Sequence, residues 1–326
     1  MPVISVILPN YNHASFLEER IESIINQSFD DFELIIIDDA STDGSQNILH
    51  QYDHHPSVTH IVYEQQNSGS PFVQWNKGVD LAQGEWIWIA ESDDSANPDL
   101  LQRLYQLTTH NPELVLAYCQ SNKMNKDGNI TGTWKEWTDD LDYSLFMNDF
   151  IMNGREYTEK FLIHQNTIPN ASAVLFRKQS FLSVGRVDED IKNCSDWLLW
   201  LKLATQGDIA YCAACLNNFR YNDTSVIASA VKAKRVSFFK KFDIEMRTSY
   251  NAFLKRQRTD FNPIRKENNL MLALEIAQEC RWLVTKKNWT EVGKYMIRYL
   301  SICFAEPRQM ASICLKTVKL FRIFQS

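Results

Sequence analysis

The run Glu91-Ser92-Asp93-Asp94 places three carboxylates within four residues. Carboxylate oxygens are hard ligands that suit Mg²⁺ or Mn²⁺, ions that keep several waters and bind substrate phosphates as well. Three adjacent acids repel one another and any incoming phosphate. A divalent cation reverses that repulsion and lets an acidic site hold a diphosphate. The same residues also read as a solvated acidic turn ahead of Pro98, and taken alone the cluster does not separate the two readings. A second acidic pair, Asp38-Asp39, directly follows an apolar run. A carboxylate at a strand end accepts hydrogen bonds from ribose hydroxyls or a base N–H, and an acid there equally caps helices. Asp196 opens a strongly apolar segment, where a lone acid is either a charge favoured by the helix dipole or a buried general base. Arg220, in Phe219-Arg220-Tyr221-Asn222-Asp223-Thr224-Ser225, is a candidate phosphate contact or a surface ion pair.

Other chemistries lack their residues. His13, His54, His55 and His60 show no metal-ligand spacing, and no nucleophilic Ser or Cys motif is present. The first loop has no G-x-G-x-x-G, which disfavours a nicotinamide or flavin site, and the P-loop pattern of ATP hydrolysis is missing too. Cys212 and Cys215 form a C-x-x-C without a second pair at zinc-finger spacing, so they read as packed thiols.

The elements that must position these acids are legible in the apolar periodicity. Val3 to Leu8 is an apolar run of strand length, followed by the loop cluster Pro9-Asn10-Tyr11-Asn12. Ser15 and Glu18 have capping-box spacing, and Leu17, Ile21, Ile24 and Ile25 recur at helical intervals. Phe32 to Ile37 predicts a strand buried on both faces, and a helix follows the loop 38–45. Thr59 to Tyr63 predicts a third strand, then a loop at Asn67-Ser68-Gly69 and a helix to about Gln83. Glu85 to Ala90 predicts a fourth strand that ends at the acidic turn. Such alternation implies a mostly parallel sheet with right-handed crossovers. Ligands bind such sheets beyond the carboxyl ends of the strands, where the loops 9–12, 38–45 and 91–94 fall.

Residues 96–230 are less regular, with Trp134, Trp137, Tyr143 and Phe146 set among Asp and Asn. Asp196 to Leu203 has the apolar density of a buried helix, and beyond about residue 232 the chain reads as helical, as in Met271 to Val284. Arg308 to Ser326 carries Arg308, Lys316, Lys319 and Arg322 and no acid, interleaved with Ile313, Val318, Leu320, Phe321 and Phe324. A basic amphipathic helix of that kind lies on an anionic membrane surface or packs on its own domain with its charges in water.

The 326 residues, 44% of them apolar and 23% charged, describe a globular chain able to bury a sizeable core. With 34 Lys and Arg against 40 Asp and Glu the net charge is −6, the wrong sign for a nucleic-acid partner. No apolar run reaches the ~18 residues of a membrane span. The N-terminus lacks the basic start and cleavage region of a signal peptide, and seven cysteines fit reduced thiols, so the expected location is cytoplasmic.

Taken in order, these segments resemble the family 2 inverting glycosyltransferases with the GT-A fold, of the bacterial surface-polysaccharide type. Val3-Ile4-Ser5-Val6-Ile7-Leu8-Pro9-Asn10-Tyr11-Asn12 is similar to that family's first strand and nucleotide loop, and Glu22 to Ser28 to its first helix. Ile37 to Ser45 resembles its base-binding turn, with Ala40 where Gly is usual. Asn67-Ser68-Gly69, Asn76-Lys77-Gly78 and Gly84 follow the pattern, and Glu91-Ser92-Asp93-Asp94 stands in the place of the metal-binding D-x-D. Ser195 to Leu201 resembles the region of the catalytic acid, and Phe219 through Ser225 the closing motif.

The resemblance covers about residues 3–230 and implies a Rossmann-like sheet flanked by helices over 1–230, with a nucleotide-binding half, 1–95, an acceptor half, 96–230, and a helical C-terminal extension, 231–326. It implies that Pro9, Tyr11, Asp38 and Asp39 hold a uridine nucleoside, with Asn67, Lys77, Glu91, Ser92 and Arg220 completing the donor site. Asp93, with Asp94, would coordinate Mn²⁺ or Mg²⁺, and Asp196 would be the general base. The implied partners are a nucleotide-sugar donor and a glycan acceptor, lipid-linked and met at the inner face of the cell membrane, with 308–326 as the contact. The departures are Glu91 for the first Asp of D-x-D, Trp75 for a common Arg, Ser195 for the acid beside the base, and Asn222 for a common His. They leave a non-catalytic nucleotide- or glycan-binding module as the alternative. A nucleotidyltransferase would need a Gly-rich basic loop after the first strand, and Pro9-Asn10-Tyr11-Asn12 is neither.

Overall fold

The apolar runs of the N-terminal third form the parallel half of a ten-stranded sheet. The computed structural model describes residues 1–109, 111–168, 170–191, 193–221, 236–305 and 315, apart from the side chains of 236–239. In chain order the strands are β1 (Ile4–Asn10), β2 (Phe32–Asp38), β3 (Val58–Tyr63), β4 (Trp86–Ile89), β5 (Ser95–Ala96), β6 (Leu114–Met124), β7 (Ile130–Thr133), β8 (Phe150–Asn153), β9 (Val174–Arg177) and β10 (Asp208–Arg220). The helices among them are α1 (Ala14–Ile25), α2 (Ser45–Leu49), α3 (Pro71–Leu81), α4 (Leu100–Thr109), α5 (Asp139–Phe146), α6 (Gly154–Tyr157), α7 (Lys178–Ser183) and α8 (Ser195–Leu203).

The strand order is β3-β2-β1-β4-β9-β6-β10-β5, and β3, β2, β1 and β4 run parallel. β1 is buried along its whole length, and so is β2 beyond Phe32, because each is flanked by strands on both edges and covered on its faces. The second half is mixed: β9 inserts antiparallel between β4 and β6, whereas β10 is parallel to β6. The sheet is flanked by helices in the GT-A manner, as the resemblance implies.

Two glycines set the spacing of this layer. A Cβ on Gly78 would meet Ile7 Cγ2 at 2.4 Å, and one on Gly84 would meet the Ser5 backbone nitrogen at 2.6 Å. Only a residue without a side chain lets α3 and the turn into β4 approach β1 so closely.

The start of α1 differs from the expected capping box. Ser15 lies inside the first turn, and His13 occupies the N-cap without a side-chain bond. The orphan Ala14 N–H is met by Asp43 Oδ2 at 2.8 Å, so a carboxylate from the loop after β2 caps the helix from a distance.

The first compact unit holds Met1–Tyr157, Gln165–Asp190 and Ser195–Asn222. The second holds Thr158–His164, Ile191–Cys194 and the chain from Asp223. Its described α-helices are Val236–Arg256, Asn262–Thr285 and Trp289–Ala305, packed around Ile244, Leu272, Ala273, Ile276, Cys280 and Ile302. Arg247 is buried there, donating to the Ile163 carbonyl at 2.9 Å and to Asn268 Oδ1 at 3.2 Å. Among the described residues no helix is long and apolar enough to cross a membrane. The basic stretch 308–326 lies outside the described residues except Leu315.

Candidate active site

The carboxyl ends of β1, β2 and β4 carry the predicted acids. Asp38 closes β2 and is fully buried. Its Oδ1 accepts from Asn10 Nδ2 at 2.8 Å, and its Oδ2 from the Ser41 N–H at 3.1 Å and Gln46 Nε2 at 3.0 Å. Asp39 is bound more heavily: Ser68 donates its N–H at 3.0 Å and its hydroxyl at 2.8 Å, Asn67 Nδ2 reaches it at 3.0 Å, and Gln74 Nε2 at 2.7 Å. Asn67 thus serves Asp39, and a nucleoside held by Asp39 must take the place of one of these donors. The turn itself is tight, with Ala40 at φ 60° and Asn12 at φ 56°. Asn12 Oδ1 accepts the Thr42 N–H at 2.8 Å, and the Ser41 hydroxyl accepts the Asn12 N–H at 2.9 Å, so the first two loops are stitched together. Pro9 is buried and Tyr11 exposed at the same edge. Lys77 is paired with Glu64, just past β3.

The four residues of the acidic turn have four different settings. Glu91 Oε1 accepts the Trp75 indole N–H at 2.9 Å, and the Glu91 N–H donates to the Ser172 hydroxyl at 3.1 Å. Ser92 Oγ lies 2.7 Å from His13 Nδ1. Asp94 is buried, its Oδ2 taking Asn170 Nδ2 at 2.8 Å and the Ser172 hydroxyl at 2.7 Å, its Oδ1 the Arg220 N–H at 2.9 Å. The Asp93 carboxylate receives its own backbone N–H and, among the described residues, no side-chain donor. Burial pushes all three acids up, Glu91 to about 8 with Asp93 and Asp94 adding repulsion, and Asp94 to about 6 with Asp93 adding to it.

Two arginines hold this turn, and they do so differently. Arg220 lies over the Phe16 ring at 4.5 Å and donates to the Asp93 carbonyl at 2.6 Å, the Asn125 carbonyl at 3.0 Å, the Lys126 carbonyl at 3.2 Å and Glu19 Oε2 at 2.5 Å. Its guanidinium is spent on the protein, so the expected phosphate contact would require one of these bonds to break. Arg20 is fully buried on α1, its guanidinium 4.8 Å from the Trp88 ring, and none of its three side-chain nitrogens has a hydrogen-bond partner among the described residues. Burial draws its pKa down to about 10 against the pull of Asp94, Glu91 and Asp93, so it stands as the unpaired counter-charge of the acidic turn. Sequence reasoning passed over Arg20, although a signal existed. It sits on the apolar face of α1, three residues after Leu17 and four before Ile24. Asn170 and Ser172 carried no such signal.

Asp196 lies in the first turn of α8, its carboxylate bonded by its own N–H, the Trp197 N–H and the Asn166 side chain. Burial raises it to about 6. One turn further on, Trp200 packs its ring 6.5 Å from that of Trp75, the residue that binds Glu91. The helix carrying Asp196 is therefore seated on the acidic turn's own support. Ser195, beside it, donates to the Asp188 carbonyl. Asn222 to Ser225 of the closing motif lie outside the described residues.

Among the described residues, no three His, Cys, Asp or Glu side chains converge as metal ligands. Mg²⁺ and Mn²⁺ sites in phosphate chemistry often use one or two carboxylates and take the rest from substrate oxygens and water. One carboxylate without a side-chain donor among the described residues, Asp93, between two that are bound fits that donor set.

Residues 5–181 match the model of glycosyl transferase family 2, and the chain belongs to that family. It is 28% identical over 246 residues to the putative teichuronic acid biosynthesis glycosyltransferase TuaG of Bacillus subtilis (strain 168), spanning 75% of this chain and 89% of that one. It is 29% identical over 152 residues to the GalNAc(5)-diNAcBac-PP-undecaprenol beta-1,3-glucosyltransferase of Campylobacter jejuni, spanning 47% of this chain and 48% of that one. Among solved structures, S. aureus TarS 1-349 in complex with UDP-GlcNAc shares the fold at TM-score 0.64 and 18% identity, covering 85% of this chain and 72% of that one. The mannosyltransferase PcManGT of Pyrobaculum calidifontis, in complex with GDP-Man and Mn²⁺, does so at TM-score 0.57 and 18% identity, with 92% and 86% covered.

Proposed function

We propose that the protein transfers a sugar, with inversion, from a uridine diphosphate sugar to a hydroxyl of a growing cell-surface glycan carried on a lipid. The observation that carries this reading is Asp93, which has no side-chain donor among the described residues just past β4, while the Asp94 carboxylate is saturated by Asn170, Ser172 and Arg220. The names of the teichuronic acid and undecaprenol-linked relatives support a surface glycan on a lipid, and the UDP-GlcNAc complex of a protein of the same fold supports uridine.

In this reading residues 1–95 form the donor half and 96–230 the acceptor half, with 231–326 as a helical extension. Pro9, Tyr11, Asp38 and Asp39 hold the nucleoside, with Asn67 and Lys77 beside them. Asp93 would hold Mg²⁺ or Mn²⁺, which when bound supplies charge neutralisation to the diphosphate leaving group. Asp196 takes the proton from the acceptor hydroxyl as that oxygen attacks the anomeric carbon, and a single displacement inverts the centre. Arg220 acts by fixing the Asp93 backbone, and Arg20 by offsetting the charge of the three acids. The work is done at the inner face of the cell membrane, with 308–326 in contact with it.

A thermal-shift panel of uridine, guanosine and thymidine diphosphate sugars with Mn²⁺ tests the donor, because a ligand that binds only the folded state raises Tm. Uridine donors should raise it and the others should not. A flat response across all three overturns the reading.

A further inference from the structure

The Trp289–Ala305 helix is apolar on two sides, and only one of them is covered by described residues. Tyr299, Ile302 and Cys303 are buried in the core of the helical unit. On the other side lie Trp289 (64% exposed), Met296 (40%), Ile297 (73%), Leu300 (46%) and Phe304 (75%), at spacings of seven, one, three and four residues, with Gly293 among them. That spacing puts them on one stripe of the helix facing solvent. A stripe of large apolar side chains costs free energy in water, and a continuous one marks a surface that meets something.

The charge around the stripe indicates what it meets. From Arg281 to Ser326 the sequence has nine Lys and Arg against two Glu, in a chain whose net charge is −6. Lys286 and Lys287 are exposed at the turn before the helix, where Trp282 and Trp289 are exposed too, and Lys286 Nζ lies 5.8 Å from the Trp282 ring. Lys294 is exposed and pairs with Glu291. Tryptophan and lysine beside an apolar stripe suit the boundary between lipid headgroups and acyl chains, the aromatic ring at the polar level and the ammonium on anionic phosphates. A protein partner would not require this concentration of positive charge in an otherwise acidic chain.

We propose that the stripe Trp289, Met296, Ile297, Leu300 and Phe304 is a docking face for an anionic lipid surface, with Lys286, Lys287 and Lys294 as its electrostatic rim. The helix has 17 residues and carries Glu291, Lys294 and Arg298, so it lies in the plane of the interface and does not span it. This goes beyond a contact through 308–326 and is independent of the donor chemistry, since lipid binding is read without a nucleotide sugar.

The test is vesicle flotation of the full chain with phosphatidylcholine alone and with equal phosphatidylcholine and phosphatidylglycerol, together with the double variant Ile297→Glu/Phe304→Glu. Both positions are exposed, so the variant keeps its fold, which circular dichroism checks. Wild type should float with the anionic vesicles and not with the neutral ones, and raising salt from 0.15 M to 0.5 M should weaken it, as an about twofold shorter screening length requires. The double variant should lose at least tenfold in bound fraction. Wild-type binding that survives in the double variant overturns the proposal, whether or not changing Arg308, Lys316, Lys319 and Arg322 to Ser then abolishes it. No binding to either vesicle overturns it too. So does a wild-type dimer by light scattering that the double variant converts to monomer, since a second copy would then cover the stripe.

Discussion

The indole N–H of Trp75 donates to Glu91 Oε1 at 2.9 Å, so two positions at which the chain departs from its family's pattern are bonded to each other. An arginine at position 75 would bring a charge to a carboxylate; tryptophan brings only a neutral donor. Glu91 consequently keeps its burial penalty and its repulsion from Asp93 and Asp94, and its carboxyl rises from an ordinary 4.5 to about 8.

That rise sets a pH dependence for the metal-free protein. Between about 4.5 and 8 the folded chain holds a proton that the unfolded chain has released, so stability falls as pH rises through that window. The loss is on the order of a few kcal/mol. Urea midpoints in EDTA should decline from pH 5 to pH 8, with Asp94 and Asp196 contributing up to about pH 6, and Glu91→Gln should flatten most of the slope between pH 6 and pH 8. An unchanged slope in that variant would place the proton elsewhere.

Asp93 and Asp94 are adjacent but separable. Asp94→Asn turns an amide toward donors that now meet a saturated carboxylate, and should cost about 2–4 kcal/mol of stability. Asp93→Asn breaks no side-chain bond, so its Tm should stay level or rise slightly as a buried charge is removed. Its Mn²⁺-dependent UDP affinity by calorimetry should nonetheless fall at least tenfold. Equal effects of the two substitutions on Tm would contradict the division of labour.

Asp196 is read as a base, which must be ionised to act. With its carboxyl raised to about 6 by burial, turnover should climb with pH through that value. Asp196→Asn should lower kcat by about 10²–10⁴ and leave donor affinity within about twofold. Full turnover in that variant would remove Asp196 from the reaction.

Ala40 occupies the left-handed region at φ 60°, where its Cβ crowds the following carbonyl. This is a physical reason for glycine being usual there. Ala40→Gly should relieve the crowding and gain about 0.5–1 kcal/mol after glycine's extra unfolded-state entropy is counted. Denaturant midpoints measure it, and a loss of stability would mean that the Ala40 methyl is packed.

Much of the frame was readable from residue order. Unbroken apolar runs gave the cores of β1, β2 and β4, and the apolar spacing of Leu17, Ile21 and Ile24 gave α1, because strand and helix periodicities are local properties of the chain. The loops 9–12, 38–45 and 91–94 followed from where those runs stopped, and the family's motifs fell on them. The Ser15–Glu18 box was not made, since Asp43 reached the same helix end through space.

What each acid does was decided only by the fold. Asp94 is bound by Asn170 and Ser172, residues 76 and 78 positions away, and by the N–H of Arg220, 126 away. Those partners arrive because β9 inserts beside β4 and β10 lies beyond β6, and strand order is not encoded in local periodicity. The same packing buries Arg20 against Trp88 and seats α8 on Trp75. Residue order therefore placed the carboxylates at the rim of the sheet. Which of them is saturated and which lacks a side-chain donor among the described residues depends on side chains brought together from across the chain, because a hydrogen bond is a matter of distance and direction.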